Sequence, residues 1–136
     1  MRINKNQMFK ILSAATLEEV ERISSIISRK YLVKVIKPAH KTLVMARIRK
    51  SYEPSLFYLG EVLGCECIVE VNGARGIALI EGDDFDKTTF IAIIDAALNL
   101  GVRESQEIHE RMNKLYEKQI KSELRNTHKF GFIDRL

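Results

Sequence analysis

The chain has 136 residues and a mass of 15.6 kDa, enough for one ordinary hydrophobic core and too few for two full domains. Apolar residues at 46% and charged residues at 29% are globular values and exclude a disordered chain. The net charge of +4 conceals a segregation: positions 29–50 hold eight bases and no acid, whereas positions 51–102 hold nine acids against Arg75 and Lys87.

Two readings of that segregation stand side by side. The basic segment attracts phosphate, nucleic acid or an acidic partner surface, or it pairs as a strand with the acidic segment and is partly neutralised. No apolar run reaches the roughly 18 residues of a membrane span. The N-terminal MRINKNQMFKIL lacks the apolar core of a secretory signal. Cys65 and Cys67 are too few for a disulfide framework. The expectation is a cytoplasmic protein of a single domain, 1–136.

In chain order, a short helix carrying Met8, Ile11 and Leu12 comes first. Thr16-Leu17-Glu18-Glu19 reads as a capping box opening a second helix, with Val20, Ile23 and Ile27 as its apolar stripe and an end near Lys30. Residues 32–37 and 42–49 alternate as two strands, with Pro38 and His40 in a loop between them. Positions 51–55, with Pro54, connect to a long strand.

Asn72-Gly73 is a strong hairpin signal, because a two-residue turn needs positive φ at both positions. Pairing outward from it sets Val71 opposite Ala74, Glu70 opposite Arg75, Val69 opposite Gly76, and Cys67 opposite Ala78. One face then carries Leu63, Cys65, Cys67, Val69 and Val71 against Ala74, Gly76, Ala78 and Ile80, small enough for a helix to lie close. The other carries Val62, Glu66, Ile68 and Glu70 against Arg75, Ile77 and Leu79. It is too apolar for a solvated surface and too charged for a core centre, which predicts a face covered by a partner.

Asp83, Asp84 and Asp86 suit a helix N-terminus, and Gly101 suits a C-terminal cap. The helix between them is apolar over most of its circumference, with a thin polar stripe of Thr88, Asp95 and Asn99, and is expected to be buried on several sides. The last helix, 106–125, has a narrow stripe of Ile108, Met112, Leu115 and Ile120. Its i,i+4 pairs are Glu107–Arg111, Glu110–Lys114 and Glu117–Lys121. It reads as a surface helix or an arm on another subunit. The tail 127–136 presents Phe130, Phe132 and Ile133 to whatever buries them.

The fold expected is therefore α+β, a mainly antiparallel sheet of about four strands. N-terminal helices fill 1–30, strands 31–82, and one buried and one long C-terminal helix 83–126.

Chemistry motifs are sparse. The chain has no GxxxxGK[ST], GxGxxG or nucleophile elbow. Cys65 and Cys67 share a strand face and read as buried apolar residues. His40, His109 and His128 make no ligand-spaced pair, and His40 and His109 read as solvated. No catalytic, cofactor-binding or metal-ligating residue is assigned. Glu61 is anomalous on an apolar strand face: a buried, paired Glu there serves as an acid or base or, in the favoured reading, anchors a loop or a partner's arginine. Arg47 and Arg49 read as contacts to a phosphate or carboxylate, or as solvated arginines.

The stretch from Phe57 to Ala96 resembles the PhnG family, the G subunit of the bacterial carbon–phosphorus lyase core complex. The residues that carry the likeness are Phe57, Gly60-Glu61, the strand to Val71, Gly76…Gly82…Asp84 and Ile94-Asp95-Ala96, with Thr127 and Phe132 beyond. Cys65 stands where the pattern has Thr, and the acid before the final aromatic is missing. On this likeness Gly60, Glu61, Gly76, Gly82, Asp84 and Asp95 are motif or partner-contact residues. Val62, Ile68, Ile77, Leu79, Phe130 and Phe132 form the expected interface.

The resemblance implies a cytoplasmic, two-fold symmetric complex with companion H, I and J subunits, this chain packing chiefly on I. In such a system I, assisted by G, H and an ABC-type L protein, displaces adenine from ATP with an alkylphosphonate. The product is ribose 1-alkylphosphonate 5-triphosphate; J, a radical enzyme, later breaks the carbon–phosphorus bond. ATP, S-adenosylmethionine and the iron–sulfur cluster belong to that wider system, with no cofactor in this chain. The contrasting reading is a small basic nucleic-acid-binding or protein-interaction module, and it lacks interleaved aromatics and a binding motif.

Overall fold

Both predicted N-terminal helices form. In the computed structural model, which describes residues 3–49 and 56–129 (side chains for 3–43 and 63–125), helix α1 spans Lys5–Ala14 and α2 spans Leu17–Ser28. The Thr16 hydroxyl accepts from Glu19 N–H at 3.2 Å, and Glu19 reaches back to Thr16 N–H at 2.9 Å, the predicted capping box. Asn4 and Gln7 build a second box on α1, a polar pair that the apolar pattern of that helix does not reveal.

Three strands follow, β1 Val33–Arg49, β2 Leu56–Val71 and β3 Ala74–Glu81, antiparallel in the order β1-β2-β3. The expected count of four is corrected here. The two predicted N-terminal strands are one, and the Pro38–His40 stretch is a bulged part of it, with register shifts at Val35/Lys37 and Lys37/His40. Proline cannot donate to a ladder, but β1 is an edge strand, where its missing N–H costs no pairing. The Asn72-Gly73 turn has φ of 47° and 90°, and the register from Val71↔Ala74 to Cys67↔Ala78 is the one predicted.

Helix α3, Phe85–Leu100, lies on one face of the sheet, and α1, α2 and α4 (Ser105–Lys129) cover its outer side. Cys65, Cys67, Val69, Val71, Ala78 and Ile80 face α3 and are buried, as are Ile91, Ala92, Ile94, Ala96 and Ala97 from the helix. Met8, Leu12, Val20, Ile27, Ile108 and Met112 close the core from beyond α3. Leu63 departs from the expected buried row. It is 43% exposed, and Leu43, its partner across the ladder, is 63% exposed. Both stand where the β1–β2 ladder runs on past the end of β3, since β3 pairs no further along β2 than Gly64↔Glu81.

Candidate functional site

The sheet face turned away from α3 carries the described part of the predicted interface. Ile77 is 48% and Leu79 45% exposed, and Ile68, directly opposite Ile77, is half-buried. Glu66 and Glu70 flank them, with Arg75 opposite Glu70. Across the ladder Glu66 meets Lys37 Nζ at 3.8 Å and His40 Nε2 at 3.4 Å. Lys37, of the eight bases, thus follows the strand-to-strand reading of the charge segregation, while Lys30 pairs instead with Glu104 outside the acidic segment. The ladder continues into a two-stranded ribbon in which Ala46 pairs with Gly60, Met45 with Glu61, and Arg49 with Leu56. The side chains of Arg47, Arg49, Glu61 and Val62 lie outside the described residues, as do Phe130, Phe132 and the rest of the tail after Lys129.

A different structural logic governs the motif residues on the covered side. A Cβ at Gly76 would stand 2.1 Å from the Ala92 carbonyl oxygen and 2.3 Å from the Ala96 amide, so only glycine lets α3 lie this close. One turn away, the buried Asp95 accepts the Ile77 N–H at 3.0 Å through Oδ2. Asn99 Nδ2 donates to the Arg75 carbonyl at 2.8 Å. These two side chains satisfy backbone groups on the outer edge of β3, which no further strand among the described residues pairs. The polar stripe on α3 is thus an edge cover. Thr88 belongs to the helix itself, its hydroxyl donating to the Asp84 carbonyl at 2.7 Å.

Gly82 ends β3 at φ 101°, its N–H donating to Leu63 at 3.0 Å, and Asp84 caps α3 by accepting Lys87 N–H at 3.0 Å. The Gly-x-Asp motif is a strand end followed by a helix start. Gly101 closes α3 in the left-handed conformation, as expected.

Asp95 also lines a cavity of about 280 Å³ between α1, α3 and the start of α4. Its Oδ1 is buried and has no hydrogen-bond partner, the nearest cation being Lys5 Nζ at 3.5 Å. His109 lines the same cavity and is half-buried, which corrects its reading as a solvated histidine: the first turn of α4 turns it inward beside Ile108. A second, more open cleft of about 780 Å³ lies between the end of α1 and the β3–α3 turn, with Phe9, Lys10, Leu79 and Asp84 among its walls.

Glu104, not singled out by any pattern, is the buried anchor of α4. Tyr31 donates its hydroxyl to it at 2.8 Å and Lys30 Nζ stands 3.2 Å away. The Tyr31 hydrogen bond, and then Lys30, hold the Glu104 carboxyl below its ordinary range, while the same bond raises the tyrosine. Lys118 similarly reaches Glu19 at 2.9 Å, and Gln119 donates to the Ile11 carbonyl at 2.9 Å, pinning the middle of α4 to α1 and α2. Beyond this point Ile120 and Leu124 are exposed. Cys65 and Cys67 are both fully buried free thiols, and burial raises Cys67. Among the described residues no three His, Cys, Asp or Glu side chains cluster as a metal site, and no helix is long and apolar enough to cross a membrane.

Four of the six motif residues, Gly76, Gly82, Asp84 and Asp95, therefore meet at the seam where α3 lies on β3 and the turn that leads into it, whereas Gly60 and Glu61 stand apart in the β1–β2 ribbon. A model of the family described as phosphonate metabolism protein PhnG matches residues 4–131. The chain belongs to the PhnG family. A direct comparison with curated proteins gave no match. PhnG membership makes it a component of phosphonate metabolism. The PhnG motif residues Gly76, Gly82, Asp84 and Asp95 have structural tasks in this fold, and the bare sheet face lies on the opposite side.

Proposed function

We propose that this PhnG-family chain is an assembly subunit of a cytoplasmic carbon–phosphorus lyase core complex. In this reading it binds companion H, I and J subunits, chiefly I, and supports formation of ribose 1-alkylphosphonate 5-triphosphate from ATP and an alkylphosphonate. It is not catalytic alone, and ATP, S-adenosylmethionine and the iron–sulfur cluster are bound elsewhere in the system. Family membership supports the metabolic setting. The observation that carries the assembly role is the uncovered sheet face, where Ile77 and Leu79 are each nearly half exposed beside Ile68. A monomer of this size rarely leaves such a face to water, and a permanent partner would bury on the order of 2,000 Å² or more over it.

The test is co-expression with the H, I and J subunits. Wild type is expected to co-purify with them, and the complex with its L protein to release adenine from ATP and methylphosphonate, while the chain alone releases none. Ile77→Asp is expected to abolish co-purification, because it desolvates an unpaired carboxylate in the interface. Intact assembly of that variant, or adenine release by the isolated chain, overturns the proposal.

A further inference from the structure

The cavity behind α3 is unlike the sheet face in that a charge is built into its wall. Asp95 is 4% exposed, and only one of its oxygens is used: Oδ2 takes the Ile77 N–H at 3.0 Å and a long contact from Asn99 at 3.4 Å. Oδ1 is buried without a hydrogen bond. Lys5 Nζ, 3.5 Å away, offsets the charge but lies beyond the usual hydrogen-bond length, and its side chain is 61% exposed. A buried carboxylate oxygen with idle lone pairs is costly, and a ligand that fills them gains what the free protein lacks.

The neighbouring groups narrow the ligand. Asn99 spends its amide N–H on β3, and Ser105 spends its hydroxyl proton on the Val102 carbonyl at 2.6 Å. What these two residues can offer the cavity with their remaining atoms is chiefly acceptor oxygen, alongside Oδ1 of Asp95. Met8 and Leu98 supply apolar wall. At about 280 Å³ the space lies just below the about 300–1,000 Å³ typical of small-molecule sites, matching one long side chain or a compound of that size.

We propose that this cavity is a guanidinium-binding site, in which a planar cation displaces Lys5 and donates to Asp95 Oδ1, its aliphatic stem lying against Met8 and Leu98. A guanidinium carries five donors and no acceptor, and it is more weakly hydrated than an ammonium, so it is the cation best matched to a set of acceptors built around the buried Asp95 Oδ1. The group comes either from an arginine of a partner or from a free guanidino compound. The site itself does not depend on the assembly reading.

The experiment is titration of the isolated full-length chain with agmatine, followed by backbone amide NMR, against sodium chloride at equal ionic strength. Saturable shifts are expected at Asp95, Asn99 and Ser105 with agmatine and not with salt. Lys5→Ala removes the competing ammonium and is expected to tighten binding several-fold. Asp95→Asn, which keeps an acceptor for Ile77 N–H, is expected to weaken it at least tenfold. The same titration of an assembled complex separates the two sources. Loss of binding there assigns the cavity to a partner arginine, and retained binding assigns it to a free compound. Shifts that salt reproduces, or an affinity unchanged by Lys5→Ala, overturn the proposal and leave a cavity that holds water only. The Lys5→Ala arm decides even if Asp95→Asn does not fold.

Discussion

The two faces of the same three strands obey opposite rules. On the side of α3 the strands present Cys65, Cys67, Val69, Ala78 and Gly76, small or slender residues that bring a helix backbone to van der Waals contact. On the other side the alternate positions of the same strands present Ile68, Ile77 and Leu79 between ion-paired Glu66 and the cross-strand neighbours Glu70 and Arg75, and among the described residues Ile77 and Leu79 are left nearly half exposed. One face is specified to fractions of an ångström and the other only in composition. Geometric precision belongs to the chain's own core, while the apolar reserve belongs to an encounter with another surface.

This contrast breaks most readily at Gly76. Gly76→Val places side-chain atoms where the Ala92 and Ala96 backbones already stand, and the expected cost is about 3 kcal/mol or more. The variant should lose its cooperative thermal transition. A variant that melts like wild type would mean that α3 can retreat freely from the sheet.

Asp95→Ala is next. It strips the Ile77 N–H of its partner at the edge of β3, and the expected loss is about 1–3 kcal/mol. Amide exchange at Ile77 should rise more than at Val69 in the sheet centre, which distinguishes edge opening from general destabilisation.

The acid limb of stability sharpens the comparison on the helical side. Glu104 and Glu19 are both held below the ordinary carboxylate range, by Tyr31 and by the Thr16 backbone respectively. A depressed folded pKa contributes stability that is fully present above the unfolded value, about 4.3 for Glu, and is lost as pH falls through the folded value. The melting temperature should therefore decline on acidification below that point, and Glu104→Gln should flatten the decline. The paired Tyr31 works in the opposite direction: its raised value gives stability that persists below the ordinary phenol range and disappears as pH rises through the folded value.

The smallest effect is expected on the bare face. Ile77→Asp should shift the isolated chain by about 1 kcal/mol at most, the span of strand preference at a half-exposed position. A collapse of the fold would show that this face is part of the core.

How far these two faces could be read in the residues depended on the range of the interactions. The hairpin register followed from Asn72-Gly73, because a two-residue turn fixes every pair beyond it. The capping box at Thr16 and the Gly101 cap were equally local. Pro38 misled because its consequence depends on whether the strand lies at an edge, and that is settled only by the sheet order. Asp95 and Asn99 were visible as a polar stripe, but their partners lie 18 and 24 residues away on β3, a distance no periodicity expresses. Glu104 finds Tyr31 from 73 residues away, and His109 turns inward only because α4 meets α1 and α3 at that point. Of the expected site, Ile68, Ile77 and Leu79 are where the alternation put them, while the motif residues Gly76, Gly82, Asp84 and Asp95 proved to belong to the fold's own seam.

The bulged β1 strand bears on the order in which the sheet can assemble. β2 is shared by two ladders that close from opposite ends: β3 zips away from Asn72-Gly73, and β1 zips back from the 50–55 connection toward Val33↔Val71. The β3 ladder closes the shorter loops throughout its register and should form early. The β1 ladder must carry its register past the irregularities around Lys37 and His40 before its most distant pairs can meet. Docking of the N-terminal end of β1, and with it the Tyr31–Glu104 anchor that follows α2, is therefore expected as the last kinetic step. It should appear as a late gain of amide protection at Lys34 and Glu70, which pair across the β1–β2 ladder, after Cys67 and Ala78 are already closed.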